Sequence, residues 1–170
     1  MAIFVDGYNL IFAASKKMEG FDITRTEEAR EHLLDLLAKF RTIHRERITV
    51  FFDGGPDAAH LPRRTLEKGL EIVFSEANSD ADSDIKQAVS HHENPRGIRV
   101  VTSDRAIQAF VRRYGAEVTD SAAFLEEVDH TLHRESFPAD EPIEKYEGPP
   151  PDEVDYWWKV FGANGKDGDA

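Results

Sequence analysis

The chain has 170 residues, no cysteine and a formal net charge of −12; the length suits one ordinary domain with a tail, and the lack of thiols excludes disulfides and thiolate metal sites. Any metal must therefore be held by oxygen or imidazole, which favours a hard cation. The acidic balance excludes a general nucleic-acid coating protein, which needs summed positive charge, but not a nuclease, whose metal site is itself built of carboxylates.

The charge is uneven. Residues 1–134 hold 18 basic and 23 acidic side chains, whereas residues 135–170 hold 3 and 10. No stretch of about 18 apolar residues occurs, and the apolar opening has no basic leader and carries Asp6, so a cytoplasmic protein without membrane contact is expected.

Taken in chain order, Ala2 to Val5 form an apolar run ending at Asp6-Gly7, as a buried strand ends, and residues 9–17 read as a helix. Thr26-Glu27-Glu28 reads as the cap of a long helix through Ala29, Leu33, Leu36, Leu37 and Phe40. Residues 48–52 form a second strand ending at Asp53-Gly54-Gly55. An arginine-rich loop or short helix around Pro62-Arg63-Arg64 precedes a third strand over residues 70–74.

Asp82-Ser83-Asp84 then heads a helix through Ile85, Ala88 and Val89. A fourth strand over residues 97–102 ends at Ser103-Asp104, and a helix follows over residues 106–114. A short fifth strand over residues 116–119 and a helix over residues 121–132 complete a domain of residues 1–134. Such alternation builds a three-layer α/β/α sandwich around a mainly parallel five-stranded sheet. Beyond it the sequence predicts a Pro-rich acidic linker (135–151), a short aromatic helix (152–162) and a disordered end (163–170).

In an open α/β sheet the site lies outside the carboxyl ends of the strands. Asp6, Asp53, Asp104 and Asp120 all occupy that position, and Asp82 starts a helix on the same edge. Like charges so placed raise one another's pKa unless a counter-ion joins them. A divalent cation resolves the conflict, Mg²⁺ in particular taking one or two carboxylates plus waters and phosphate oxygens. Plainer roles compete: Asp53-Gly54-Gly55 is also a turn signal, and Asp80 or Asp82 also suits a helix N-cap.

Four motifs in order now carry a resemblance. Ile3-Phe4-Val5-Asp6-Gly7-Tyr8-Asn9-Leu10, Asp53-Gly54, Asp80-Ala81-Asp82-Ser83-Asp84-Ile85 and Val100-Val101-Thr102-Ser103-Asp104 resemble those of YacP-like NYN domains in the PIN-like nuclease superfamily. The resemblance implies a divalent-metal-dependent endoribonuclease using Mg²⁺ or Mn²⁺. Asp6, Asp82 and Asp104 would be catalytic metal ligands, Asp84 a further candidate ligand, and Asn9, Ser103 and Asp53 would orient them. It further implies mRNA decay or processing linked to translation, with RNA and the ribosome as partners.

For RNA contact the sequence offers Arg63, Arg64 and Lys68 after a strand end, Arg105 beside Asp104, and Tyr8 beside the first motif, although an aromatic there also suits the core. Two other functions share the pattern: an RNA-binding module of the same fold without cleavage, and phosphoryl transfer to Asp6 as in haloacid-type phosphatases or receiver domains. Tyr8 stands where such phosphatases place a second Asp.

Overall fold

A computed structural model describes residues 1–136. The expected linker beyond that point, the aromatic helix and the chain end lie outside the described residues. In chain order the elements are β1 (Ala2–Asp6), α1 (Gly7–Ser15), α2 (Thr26–His44), β2 (Arg47–Phe52), β3 (Arg64–Glu67), β4 (Leu70–Phe74), α3 (Ala81–Ser90), β5 (Ile98–Val101), α4 (Arg105–Arg113), β6 (Glu117–Thr119) and α5 (Ser121–Ser136). Short 3-10 turns occupy Pro56–Ala58 and Pro95–Gly97.

The sheet has the order β3-β4-β2-β1-β5-β6. All pairings are parallel except β3 with β4. Alternation along β1 divides the core: Ile3 and Val5 pack with α1, α2 and α5, while Phe4 packs with α3 and α4 on the other face. The expected three layers are therefore present. From β1 the chain adds β2 and β4 on one side, then crosses to add β5 and β6 on the other. The reversal falls between β1 and β5, where an open sheet leaves a crevice at the carboxyl edge.

The sheet has six strands rather than the expected five. Arg64–Glu67, read as loop or short helix, is an antiparallel edge strand, joined to β4 by Lys68 and Gly69 at φ 53° and 77°. Two successive positive φ values make the tight hairpin turn that matches strand twist. Its residues do not read as a strand because most of them are exposed and they lack alternating apolar side chains.

Helix boundaries also differ: α1 spans Gly7–Ser15 rather than residues 9–17, and α4 spans Arg105–Arg113 rather than 106–114. Thr26 is the first helical residue of α2 and not its cap; Arg25 holds that position and makes no capping side-chain bond. α5 continues to Ser136, past the expected end at residue 132.

One glycine positions the site. A Cβ on Gly54 would lie 1.8 Å from the Ser75 carbonyl oxygen, while the Gly54 N–H donates to Ser75 Oγ at 2.8 Å. The ends of β2 and β4 thus approach too closely for a side chain. Gly54→Ala is expected to lower stability by about 3 kcal/mol, read as a lower urea midpoint; an unchanged midpoint would show that the two loops separate freely.

Candidate active site

Helices α1, α3 and α4 each start on an aspartate at the carboxyl edge. Asp6 accepts from the Asn9 N–H at 3.4 Å, Asp80 from Ser83 at 2.7 Å, and Asp104 from Ala106 and Ile107 at 2.8 and 3.1 Å. N-capping fixes each backbone entry, since a short carboxylate reaches the free N–H groups of the first turn. Asp80 therefore takes the capping role, and Asp82 follows it as the second residue of α3.

Hydrogen bonds tie the β1 and β5 ends together. Thr102, fully buried, donates from Oγ1 to Asp6 Oδ2 at 3.1 Å and accepts from the Asp104 N–H at 3.1 Å. Asn9 Oδ1 accepts from the Ser103 N–H at 2.9 Å and from Ser121 Oγ at 2.7 Å. The Ser121 N–H in turn donates to Ser103 Oγ at 3.3 Å. Asn9 and Ser103 thus fasten the β5–α4 loop beside Asp6. Thr102 and Ser121, which no motif singled out, complete the network; a hydroxyl at a strand end gives no periodic signal.

Burial pushes the Asp6 carboxyl up to about 6, against the hydrogen bonds from Thr102 and Asn9, and the charges of Asp53 and Asp82 push it further the same way. Asp53 and Asp82 are therefore within electrostatic reach of Asp6. Asp53 Oδ1 accepts from the Ala81 N–H at 2.7 Å, joining the β2 end to the start of α3. Among the described residues no ion pair reaches Asp6, Asp53 or Asp104.

The two other carboxylates differ. Asp82 Oδ2 is 3.1 Å from Lys86 Nζ, and its Oδ1 is buried without a hydrogen-bond partner. Asp84 is only 8% exposed, lies 3.6 Å from an Arg63 nitrogen, and is also raised by desolvation, despite that arginine.

Among the described residues no three His, Asp or Glu side chains are gathered tightly enough to hold a metal ion by themselves. The donor chemistry nevertheless fits a Mg²⁺-type ion, which needs only one or two carboxylates beside water and phosphate. The unpartnered Asp82 Oδ1, the equally unpartnered Asp84 Oδ2 and the raised Asp6 fit it.

The candidate RNA contacts are dispersed. Arg63 pairs with Glu76 and Asp84, and Arg64 with Glu71 at 3.2 Å. Lys68 pairs with Asp35 and occupies the β3–β4 turn at the amino edge, the opposite end of the sheet from Asp6. Arg105 is exposed beside Asp104. Tyr8 is half-buried against the core, edge-on to Phe52, and its hydroxyl accepts from Arg30 at 2.9 Å.

Comparison with known proteins gives four concordant matches. The family model described as YacP-like NYN domain matches residues 3–148. A *Bacillus subtilis* (strain 168) protein described as uncharacterized protein YacP is 30% identical over 137 residues, covering 78% of this chain and 76% of that protein. A crystal structure of a tryptophan-to-leucine mutant of Rae1 (YacP) from *Bacillus subtilis* superposes with a TM-score of 0.62 at 28% identity, over 82% of this chain and 87% of that one. A second Rae1 (YacP) structure, at 24% identity and TM-score 0.62 over 96% and 91% of the two chains, agrees in fold.

Proposed function

The chain belongs to the YacP-like NYN domain family, a PIN-like nuclease family, and from that premise we propose that it is a divalent-metal-dependent endoribonuclease. The observation that carries the reading is a buried carboxylate at the carboxyl edge: burial lifts Asp6 to about 6, the charges of Asp53 and Asp82 add to the lift, and among the described residues no cation pairs with it. Asp6 and Asp82 would hold Mg²⁺ or Mn²⁺, with Asp104 facing the same crevice and Asp84 as the reserve ligand.

A bound divalent ion supplies a coordinated water of lowered pKa and offsets charge on the nonbridging phosphate oxygens. The chain's own contribution is placement. Thr102 fixes one Asp6 oxygen, Asn9 and Ser121 anchor the loop that carries Ser103 and Asp104, and Asp53 locks the start of α3 that carries Asp82. Arg63 and Arg64 remain candidate RNA contacts, because exposed ion pairs are weak enough to exchange for phosphate, and Arg105 and Tyr8 remain so by their place beside Asp104 and Asp6; Lys68, at the opposite end of the sheet, is too far from that edge to share the site. Family resemblance extends the proposal to mRNA engaged in translation, to the ribosome as partner and to the cytoplasm; among the described residues no helix is long and apolar enough to cross a membrane.

A second reading, an RNA-binding module without cleavage, has the Lys86 contact on Asp82 in its favour. One experiment separates the readings: structured and unstructured RNA incubated with Mg²⁺ or Mn²⁺, with EDTA, and with Asp104→Asn. Asn caps a helix as well as Asp does, so the variant keeps α4 and changes only the charge. Cleavage by the wild type that falls about a hundredfold in both controls supports the nuclease. Binding without cleavage supports the second reading, and phosphate release from small phosphoesters supports phosphoryl transfer.

A further inference from the structure

We infer that Arg30 and the first turn of α2 form a binding subsite for a backbone phosphate of the RNA, beside the carboxylate edge; the inference rests on the ribonuclease reading and adds a place for the strand. Arg30 is 7% exposed, which is unusual for a guanidinium. Its contacts are the Tyr8 hydroxyl at 2.9 Å and the face of Phe74, with the ring centroid 5.6 Å away. Among the described residues no carboxylate lies within ion-pair distance of it. A buried charge without a counter-ion costs several kcal/mol, and a phosphate supplies the counter-ion.

The surroundings suit that ligand. Arg30 lines a cleft of about 620 Å³ together with Thr24, Arg25, Thr26 and His60. The cleft includes the start of α2, a 19-residue helix whose first turn has no capping side chain, so free N–H groups and the helix dipole both favour an anion. Glu27 and Glu28 also line it, with Glu28 held by Arg25 at 3.2 Å. Formal charges therefore cancel, and recognition depends on the buried guanidinium rather than on net field.

Location ties the cleft to the active site. α2 runs into β2 at the amino edge, so its first turn lies at the carboxyl edge. Tyr8 follows Asp6 by two residues and Phe74 ends β4. Thr26 also lines a smaller apolar cavity with Tyr8, Phe12 and Ile23, where a base could stack while its phosphate meets Arg30. That pairing selects a nucleotide of the strand over inorganic phosphate.

The test is binding of a fluorescent single-stranded RNA to the full chain in EDTA, so that no strand is cut. Arg30→Gln is expected to weaken binding about tenfold and to lower the log–log salt slope by about 0.7, one single-strand phosphate contact. Equal affinity and slope in a variant with unchanged thermal unfolding overturns the inference. If Arg30→Gln does not fold, the wild type decides: its Arg30 Nε–H resonance, assigned through Arg30→Lys, shifts on saturation with RNA if the inference holds, and an unmoved resonance refutes it. Inorganic phosphate alone should move the resonance far less than RNA does; equal movement overturns the assignment to an RNA strand. Wild-type protein that neither binds nor cuts RNA removes the ribonuclease reading itself, an outcome distinct from a wild type that binds while Arg30 is indifferent.

Discussion

Asp6→Asn is expected to abolish RNA cleavage and at the same time to stabilise the metal-free fold at neutral pH. The first effect, a loss of about a hundredfold or more, follows from removing a carboxylate at the centre of the crevice. The second follows from the raised carboxyl. Because the folded group titrates near 6 and the ordinary value is 3.8, the folded chain binds this proton more tightly than the unfolded chain. Stability from this group therefore falls as pH rises from about 4 through 6, and above that the ionised, buried Asp6 costs about 3 kcal/mol. Asn removes the penalty while keeping an acceptor for Thr102. In EDTA the variant should unfold at a higher temperature than the wild type near pH 7, with the difference shrinking toward pH 4. A variant less stable at pH 7 would mean that Asp6 is held by a partner cation.

The comparison of Asp82→Asn with Asp84→Asn resolves which acid of the crowded motif serves the reaction. Each has one buried, unpartnered oxygen, Asp82 Oδ1 and Asp84 Oδ2, but the charge of Asp82 acts on Asp6 whereas the other oxygen of Asp84 faces Arg63 at 3.6 Å. Asp82→Asn should lose about a hundredfold in cleavage with a stability change below about 1 kcal/mol, since its pair with Lys86 is partly exposed and lies one helical turn away. Asp84→Asn should lose far less, and through displacement of Arg63. Initial rates with denaturation midpoints read both effects. The reverse order, with Asp82→Asn fully active, would transfer the ligand role to Asp84.

The sequence carried the sheet because buried parallel strands are short apolar runs, each ending on a polar turn; Ile3, Val50, Ile72 and Val100 mark four of them. The edge strand Arg64–Glu67 was illegible, since an exposed strand needs no apolar alternation and the Lys68-Gly69 turn was its only signal. At the site, the strand-end rule located Asp6, Asp53 and Asp104, but which of Asp80, Asp82 and Asp84 caps the helix depends on backbone angles that the letters do not encode. Thr102 and Ser121 become visible only when strands distant in sequence lie side by side. Arg30 carries no signal in the sequence, because its burial depends on the packing of Tyr8 and Phe74 around it.

Mn²⁺ binding, followed by loss of the free-ion electron paramagnetic resonance signal, tests the carboxylate edge most directly. The wild type is expected to bind Mn²⁺ at a site that Mg²⁺ competes for, and Asp6→Asn and Asp82→Asn, each shown to be folded, should lose it. Equal Mn²⁺ uptake by all three proteins, or RNA cleavage that persists in excess EDTA, would contradict a cation-dependent centre built on these residues.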